Sequence, residues 1–429
     1  MKYLIYAGIA PGANPTVNEL LTKKVDAGGN VGNLLFINAV AQSLCVNGDE
    51  IYSITHYRAE FSDLDIEKIN SEYDAFILPL ADAFRDDNIS QLEKLTVTVK
   101  KLRIPCVVIG VGLRAEYDAD LSIPRKFDDA VKYFVEAVLE KSSCIGIRGQ
   151  VTGNYLKRLG FAEDRDYMVI GCPSMCMAAT HTGINIRNVE KITNLAINGN
   201  DLAPENVIAM IRKAITDHPN AYVIQQRESE MADVFLGRFS DYAGNAFRVP
   251  GSLYGKELYS KLVKENKIRY FSNIYRWVEF LQGMDFCLNS RFHGTVVSLM
   301  AGTPSIIIPI DSRMQEMVEY HKLPSIPAKE IKITDTVEAL ISKVNLKAPE
   351  KVAEQNLNRY YSLLERNSLS HVDKDYILNY RIFGGRQELS WKMAEKSYSE
   401  ISSVCKFGRV SRYYIDKYKN KIINKLSSF

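Results

Sequence analysis

The sequence predicts an α/β protein of two doubly wound units facing each other across a cleft, followed by a helical C-terminal extension. Three observations predict it. Short apolar runs rich in Val, Ile and Leu alternate with helical patterns over most of the chain, as buried parallel strands do. The alternation comes in two series of comparable length, the second beginning near Ile192. From Pro349 onward the strand signal stops. A length of 429 residues suits two domains of about 100–200 residues each plus an appendage. The boundaries that follow are 1–185, 186–345 and 346–429, with HTGINIRNVEK (181–191) as the linker.

In order, KYLIYAG (2–8) reads as a strand, followed by a loop rich in Gly and Asn and a helix from Asn33 to about Cys45. EIYSIT, DAFILPL, PCVVIGVG, SCIGI and YMVIG read as the remaining strands of the first series, with helices near 65–72, 89–101, 126–141 and 151–159. The second series has strands at NLAIN, AYVIQQ, FRVP, IRYFS, DFCLN and SIIIPI, and helices near 204–217, 256–265, 274–283, 294–301 and 313–321. EKVAEQNLNRYYSLLERN (350–367) is helical and able to pack back across the two units. In such sheets ligands sit beyond the carboxyl ends of the strands, so the strand-to-helix loops are where chemistry is sought.

Composition excludes several classes. The chain is 46% hydrophobic and 24% charged, which is neither disordered nor a disulfide scaffold. No run approaches the roughly 18 apolar residues of a membrane span, and the start lacks the pattern of a signal peptide. Seven cysteines, mostly inside apolar runs, fit reduced thiols and a cytoplasmic location. Cys172 and Cys176 have no second Cys/His pair at ligand spacing, so they read as buried small hydrophobes and no metal is expected. The net charge of +3 does not suggest a nucleic-acid partner, but it hides an asymmetry. Residues 401–429 carry seven basic residues against Asp416 alone.

The richest stretch is DFCLNSRFHGTVVSLMAGTPSIIIPIDS (285–312). A strand ends near Ser290 and a helix begins near Gly294, with Ser290 or Asn289 available as its cap. Arg291 and His293 then stand beside free N–H groups at the positive end of the helix, a site suited to phosphate or carboxylate. The plainer alternative is a histidine capping its own helix and an arginine paired to a surface carboxylate. Equivalent loops of the first unit carry Gly28, Gly29, Asn30, Gly32 and Asn33, where backbone can approach a substrate and the two asparagines offer it polar ends, then Arg114 after VIGVG, and Arg148 between Gly146 and Gly149. Arginines 114, 148 and 291 can converge on one multiply charged anion. His218 and His321 lie at helix ends and read as structural, and no histidine pair has metal-ligand spacing.

The ordered set of a Gly/Asn loop after strand one, VGLR (111–114), SCIGIRGQ (143–150), GCP (171–173), SRFHG (290–294) and AGTP (301–304) resembles the polysaccharide pyruvyl transferase family over roughly residues 1–345. The resemblance implies a GT-B-like pair of Rossmann-like domains and transfer of pyruvate from phosphoenolpyruvate to sugar hydroxyls as a ketal. The family's Arg-x-His-Gly falls on Arg291, Phe292, His293 and Gly294, and its strand-end arginine on Arg148. This chain departs where the family often has Gly-Asp, carrying Gly32-Asn33, and where a glycine-rich turn commonly follows the third strand, carrying Ala81, Asp82 and Arg85. The expected scheme makes His293 the general acid/base and gives the phosphate to Gly294 and Thr295. Arg148, Arg291 and Arg114 hold the donor's charges, and Asp82 or Asp311 is the acceptor-side base. It uses phosphoenolpyruvate as donor substrate and needs no cofactor. The acceptor the resemblance implies is a sugar of a surface polysaccharide or of its lipid-linked oligosaccharide precursor.

Two other readings stand beside it. One is a nucleotide-sugar glycosyltransferase with Glu316 or Glu319 on the ribose. The other is a non-catalytic carbohydrate-binding protein of the same fold. In the tail, Tyr414, Tyr418, Ile422 and Leu426 recur at helix spacing, with Ile415 and Ile423 alongside and Lys417, Lys421 and Lys425 flanking. Such a helix either lies on an anionic membrane surface or packs on protein.

Overall fold

Alternate residues of the first strands enter opposite cores, which is why those strands read as continuous apolar runs. Tyr3 and Ile5 join one buried cluster while Leu4 and Tyr6 join another, and Ile77 and Leu78 divide in the same way. The computed structural model describes residues 1–44, 46, 48–54, 60–178, 184–237, 253–373 and 402–426. FRVP (247–250), His56, His181 and the start of the 181–191 segment lie outside the described residues.

The first sheet is parallel, in the order β2 (Glu50–Ser53), β1 (Lys2–Ile5), β3 (Ala75–Pro79), β4 (Cys106–Ile109). The parallel pair β5 (Ile145–Ile147) and β6 (Tyr167–Val169) continues it through a bridge from Val111 to Ile147. The second sheet is also parallel, in the order β11 (Ser305–Ile307), β10 (Phe286–Asn289), β7 (Leu195–Asn198), β8 (Ala221–Gln225), β9 (Ile268–Tyr270). Strand order therefore reverses direction between β1 and β3 in one sheet and between β7 and β10 in the other. Those switch points are where an open α/β sheet leaves a crevice.

Helices connect the strands: α1 (Val17–Leu21), α2 (Gly32–Leu44), α3 (Asp63–Glu72), α4 (Ile89–Lys101), α5 (Asp128–Leu139) and α6 (Gln150–Arg158) in the first half. The second half has α7 (Glu205–Asp217), α8 (Glu228–Leu236), α9 (Lys256–Lys264), α10 (Ile274–Gln282), α11 (Phe292–Met300) and α12 (Ser312–His321). Then come α13 (Val337–Ile341), α14 (Ala353–Arg366) and α15 (Ser403–Leu426). Helices α1, α8 and α13 were not expected. α1 is a single turn nucleated by a capping box between Thr16 and Glu19, a signal that PTVNELL displays. α8 has acidic residues in its first turn and Gly237 just after its end, so its signals are terminal rather than periodic.

α14 does pack back, onto β5 of the first sheet. Its Tyr360 hydroxyl meets Ser43 Oγ of α2 at 2.6 Å, and Asn367 just beyond it accepts from the Ser143 N–H at 2.9 Å. α15 rests on α1 and α8.

Candidate active site

Loops leaving the carboxyl ends of both sheets meet directly, and several hydrogen bonds join them. The Val31 N–H donates to the Gln226 carbonyl, the Glu228 N–H to the Gly29 carbonyl (3.1 Å each), and Gln226 Nε2 to Asn30 Oδ1 (2.9 Å). Asn30 also accepts from the Gly32 N–H, and Asn33 Nδ2 donates to the Ala27 carbonyl, both at 2.9 Å. Both asparagines, expected as substrate ligands, are thus engaged in shaping the loop and closing it onto the other unit. Gly32 is small for the same reason. A Cβ there would lie 2.2 Å from Gln226 Nε2 and 2.4 Å from His293 Nδ1.

α11 begins one residue after Arg291, and no side chain caps it. Ser290 was expected in that role, but its Oγ accepts from the Asn200 N–H at 2.7 Å. Asn289 does not cap it either, since its Oδ1 would be 2.7 Å from a Cβ on Gly294, inside the close packing of helix start on strand end. The first N–H groups of the helix therefore remain available to an anion. Around them, His293 Nε2, Thr295 Oγ1 and Arg148 Nη2 are all shielded from solvent and have no hydrogen-bond partner. Buried polar atoms are rarely left so, and Arg148 lies close enough to His293 for its charge to act on the ring, a setting suited to a ligand's oxygens. His293 packs edge-on against Phe292, their ring centres 5.7 Å apart. Burial, then the charges of Arg148 and Arg313, push the His293 imidazolium down to about 3, leaving the ring neutral at physiological pH.

Arg148 is buried at the end of β5. Its Nε donates to the Gly110 carbonyl (2.8 Å), and its guanidinium lies 5.1 Å from the centre of the Phe36 ring. Arg114 and Arg148 do gather near one another, both adding their charge to the field at Asp82. Arg291 does not join them. The extended backbone at Arg291 sends its Nε to the Gly199 carbonyl (2.7 Å) and its Nη2 to the carboxylates of Glu230 and Asp201, in a buried ion-pair cluster with Arg227. Its charge is spent on tying the start of α11 to the start of α8.

The third arginine of the cluster is instead Arg313, a residue the motif reading missed. It bridges Asp82 Oδ2 (2.9 Å) and Asp311 Oδ2 (2.8 Å). Its sequence signal was modest: it stands in the first turn of a helix, two residues after Asp311, whose Oδ1 caps α12 by accepting from the Met314 N–H at 2.9 Å.

Asp82, expected as a base, is surrounded by Arg85 (2.7 Å), Arg313 (2.9 Å) and Arg114 (3.1 Å). Burial alone would raise its pKa, but Arg313, Arg85, Arg114 and Arg148 together hold it well below the usual carboxylate range. A carboxylate so stabilised is a poor proton acceptor. Asp311, the other expected base, is occupied as a helix cap and as the partner of Arg313. Both instead hold the Arg313 guanidinium where the two units meet.

A family model for polysaccharide pyruvyl transferases matches residues 30–312, from the first asparagine of the loop to the first residue of α12. The chain belongs to the polysaccharide pyruvyl transferase family. Asp82, Arg114, Arg148 and the Arg291–Thr295 segment all fall within the matched residues of this pyruvyl transferase family member. No curated protein matches the chain in sequence. Among solved structures it is similar to the UDP-GlcNAc 2-epimerase of Methanocaldococcus jannaschii, at 16% identity and a TM-score of 0.39, covering 88% of this chain and 97% of that one. It is also similar to the UDP-GlcNAc 2-epimerase of Neisseria meningitidis, at 10% identity and a TM-score of 0.44, covering 85% and 100%.

Just beyond the matched segment, Glu316 of α12 reaches into the first unit. Its carboxyl accepts from the Thr152 N–H (2.8 Å) and hydroxyl (2.9 Å) at the start of α6. A nucleotide ribose would need this carboxylate exposed, and it is buried. Burial pushes it up to about 8 against the opposing pull of Thr152 and Arg148, so it is largely protonated at neutral pH. Because its folded pKa lies above the unfolded value, its contribution to stability is full below about pH 4.5 and is lost as pH rises towards 8. Glu316→Gln keeps the shape and removes that titration. The variant is expected to gain on the wild type between pH 5 and pH 8, by on the order of 3 kcal/mol at most. Urea unfolding at several pH values measures this, and a difference constant with pH would contradict it.

His218 and His321 are structural, as read. His218 bonds the Ala214 carbonyl and Glu338 at a helix end, and buried His321 accepts from the Cys172 N–H at 3.1 Å. No group of three or more His, Cys, Asp or Glu side chains suited to a metal occurs among the described residues.

Proposed function

We propose that this family member transfers the pyruvate of phosphoenolpyruvate onto two hydroxyls of a sugar, forming a ketal and releasing phosphate. The acceptor we propose is a surface polysaccharide or its lipid-linked precursor. The observation that carries the reading is the uncapped start of α11, where His293 and Thr295 each hold a buried, unpartnered polar atom and the charges of Arg148 and Arg313 act on His293. Phosphoenolpyruvate has a phosphate and a carboxylate, and this environment offers helix N–H groups and a guanidinium for them.

In the proposed reaction the first acceptor hydroxyl bonds to C2 and gives up its proton, and the methylene carbon gains one to become a methyl group. The bond from C2 to the phosphate oxygen breaks, the second hydroxyl closes on C2, and its proton leaves with the phosphate. Neutral His293 takes the first hydroxyl's proton and passes it to the methylene carbon, which returns the ring to its neutral state. The anionic donor raises its basicity by offsetting the charges of Arg148 and Arg313. Arg148 neutralises the donor, while Asp82 holds the neighbouring arginines in place.

The test is to incubate the protein with phosphoenolpyruvate and sugar acceptors and to follow phosphate release together with the pyruvyl-ketal mass gain. Thermal stabilisation by phosphoenolpyruvate and not by UDP- or GDP-sugars is the expected accompaniment. Stabilisation by a nucleotide sugar alone would favour the glycosyltransferase reading, and indifference to both would favour a non-catalytic one.

A further inference from the structure

α15 has two faces, and the described residues pack against only one of them. On the inner face Tyr413 is buried, Asp416 accepts from Asn18 Nδ2 (2.8 Å), and Arg409 lies over the Phe235 ring (4.3 Å). Asn420 reaches the Thr22 hydroxyl at 3.2 Å. These residues recur at intervals of three and four, one face of a helix. They grip α1 of the first unit and α8 of the second.

The opposite face is apolar and exposed, with the described residues leaving most of it open. Val404 is 83% exposed, Phe407 77%, Ile415 and Tyr418 66% each, and Ile422 60%. These positions also recur at intervals of three, four and seven or eight, so they form one stripe along a helix of about 36 Å. An ordinary surface helix turns such a stripe toward its own core, yet this one turns it away. Packing on the protein body, one of the two sequence readings, is thus the role of Tyr413, Asp416 and Asn420 rather than of the stripe. Lys419 and Arg412 lie along one edge of the stripe and Lys421 along the other, all exposed.

We infer that α15 is a membrane-docking helix whose Val404–Ile422 stripe enters the interface of an anionic lipid bilayer while its flanking cations meet the headgroups. The charge pattern selects this occupant: cations on both edges of an apolar stripe match a negatively charged planar surface. No helix among the described residues is long and apolar enough to cross a membrane, so the contact we infer is peripheral. Because α15 is anchored to α1 and α8, and the loop after α1 bonds the loop before α8, docking would also set the height of those loops above the lipid. The inference does not depend on the chemistry proposed for the cleft.

The experiment is co-sedimentation of the full chain with vesicles of phosphatidylcholine containing about one third phosphatidylglycerol, and with pure phosphatidylcholine vesicles. We expect binding to the anionic vesicles, weakened by high salt, and at least tenfold weaker binding to the neutral ones. Ile415→Asp with Ile422→Asp is expected to abolish it, and Lys419→Glu with Lys421→Glu to reduce it more than tenfold, at about fivefold for each cation removed. Both pairs are exposed, so circular dichroism and the unfolding temperature should not change. Equal binding to both vesicle types, no binding, or stripe-dependent dimerisation by light scattering without vesicle binding would each overturn the inference.

Discussion

Replacing His293 by alanine is expected to lower the rate of phosphate release from phosphoenolpyruvate in the presence of acceptor by about 10²–10⁴-fold. The reason is local. His293 supplies a neutral, buried nitrogen with no protein partner beside a helix start with free N–H groups, and Asp82 and Asp311 are too firmly paired to replace it. The ring is half-buried and its Nε2 has no hydrogen-bond partner, so the near-ultraviolet dichroism of the variant should match the wild type. His293→Gln, which restores a polar end without a titrating nitrogen, should not recover the rate. Turnover within threefold of wild type in either variant would remove His293 from the mechanism. The wild-type ring has its own pH signature. Its folded pKa lies below the unfolded value of 6.5, so the stability held above that pH is lost as pH falls toward 3.

Asp82→Asn is expected to be costly in a different way, through stability rather than through proton transfer. The change leaves Arg313, Arg85 and Arg114 facing one another without the carboxylate that separates them. Breaking a buried pair of this kind costs about 3 kcal/mol, because the remaining charge is still desolvated. Since the folded carboxylate is held below its unfolded value, the loss should be constant from pH 5 to pH 8 and shrink only as pH falls through about 4. Urea unfolding at pH 5 and pH 7.5 checks this. A general-base role would instead leave stability nearly unchanged and remove an ionisation from the pH profile of turnover.

Much of the fold was legible because its signals are local. Runs such as CVVI and FCLN are buried on both faces, so they could be read as strands without knowing their neighbours. α2 and α12 were placed within a residue at most boundaries because strand ends and turn residues delimit them. α8 was missed because its burial comes from contacts with α1 and α15, which no periodicity in ESEMADVFL announces. Within the site, Arg148 and His293 were found because each follows a strand end at the start of a helix. Arg313 and Glu316 were harder. One was seen only as part of a helix and the other only as a ribose ligand, and each acts on the opposite unit across the cleft.

The amino-acid order by itself determined the two series of strands and helices, the strand-end loops that carry the polar groups, the family and the amphipathic character of the tail. All of these depend on neighbours within a few residues or on ordered motifs along the chain. Only the tertiary structure decided which charges are free. Arg291 and Arg148 have similar strand-end settings in sequence, yet Glu230 and Asp201 neutralise one while the other keeps a buried donor unpaired. Asp82 became an anchor and Glu316 a protonated bridge for the same reason. A side chain's charge and proton affinity are set by desolvation and by partners that here come from far along the chain, and those partners meet only when the two sheets close on each other.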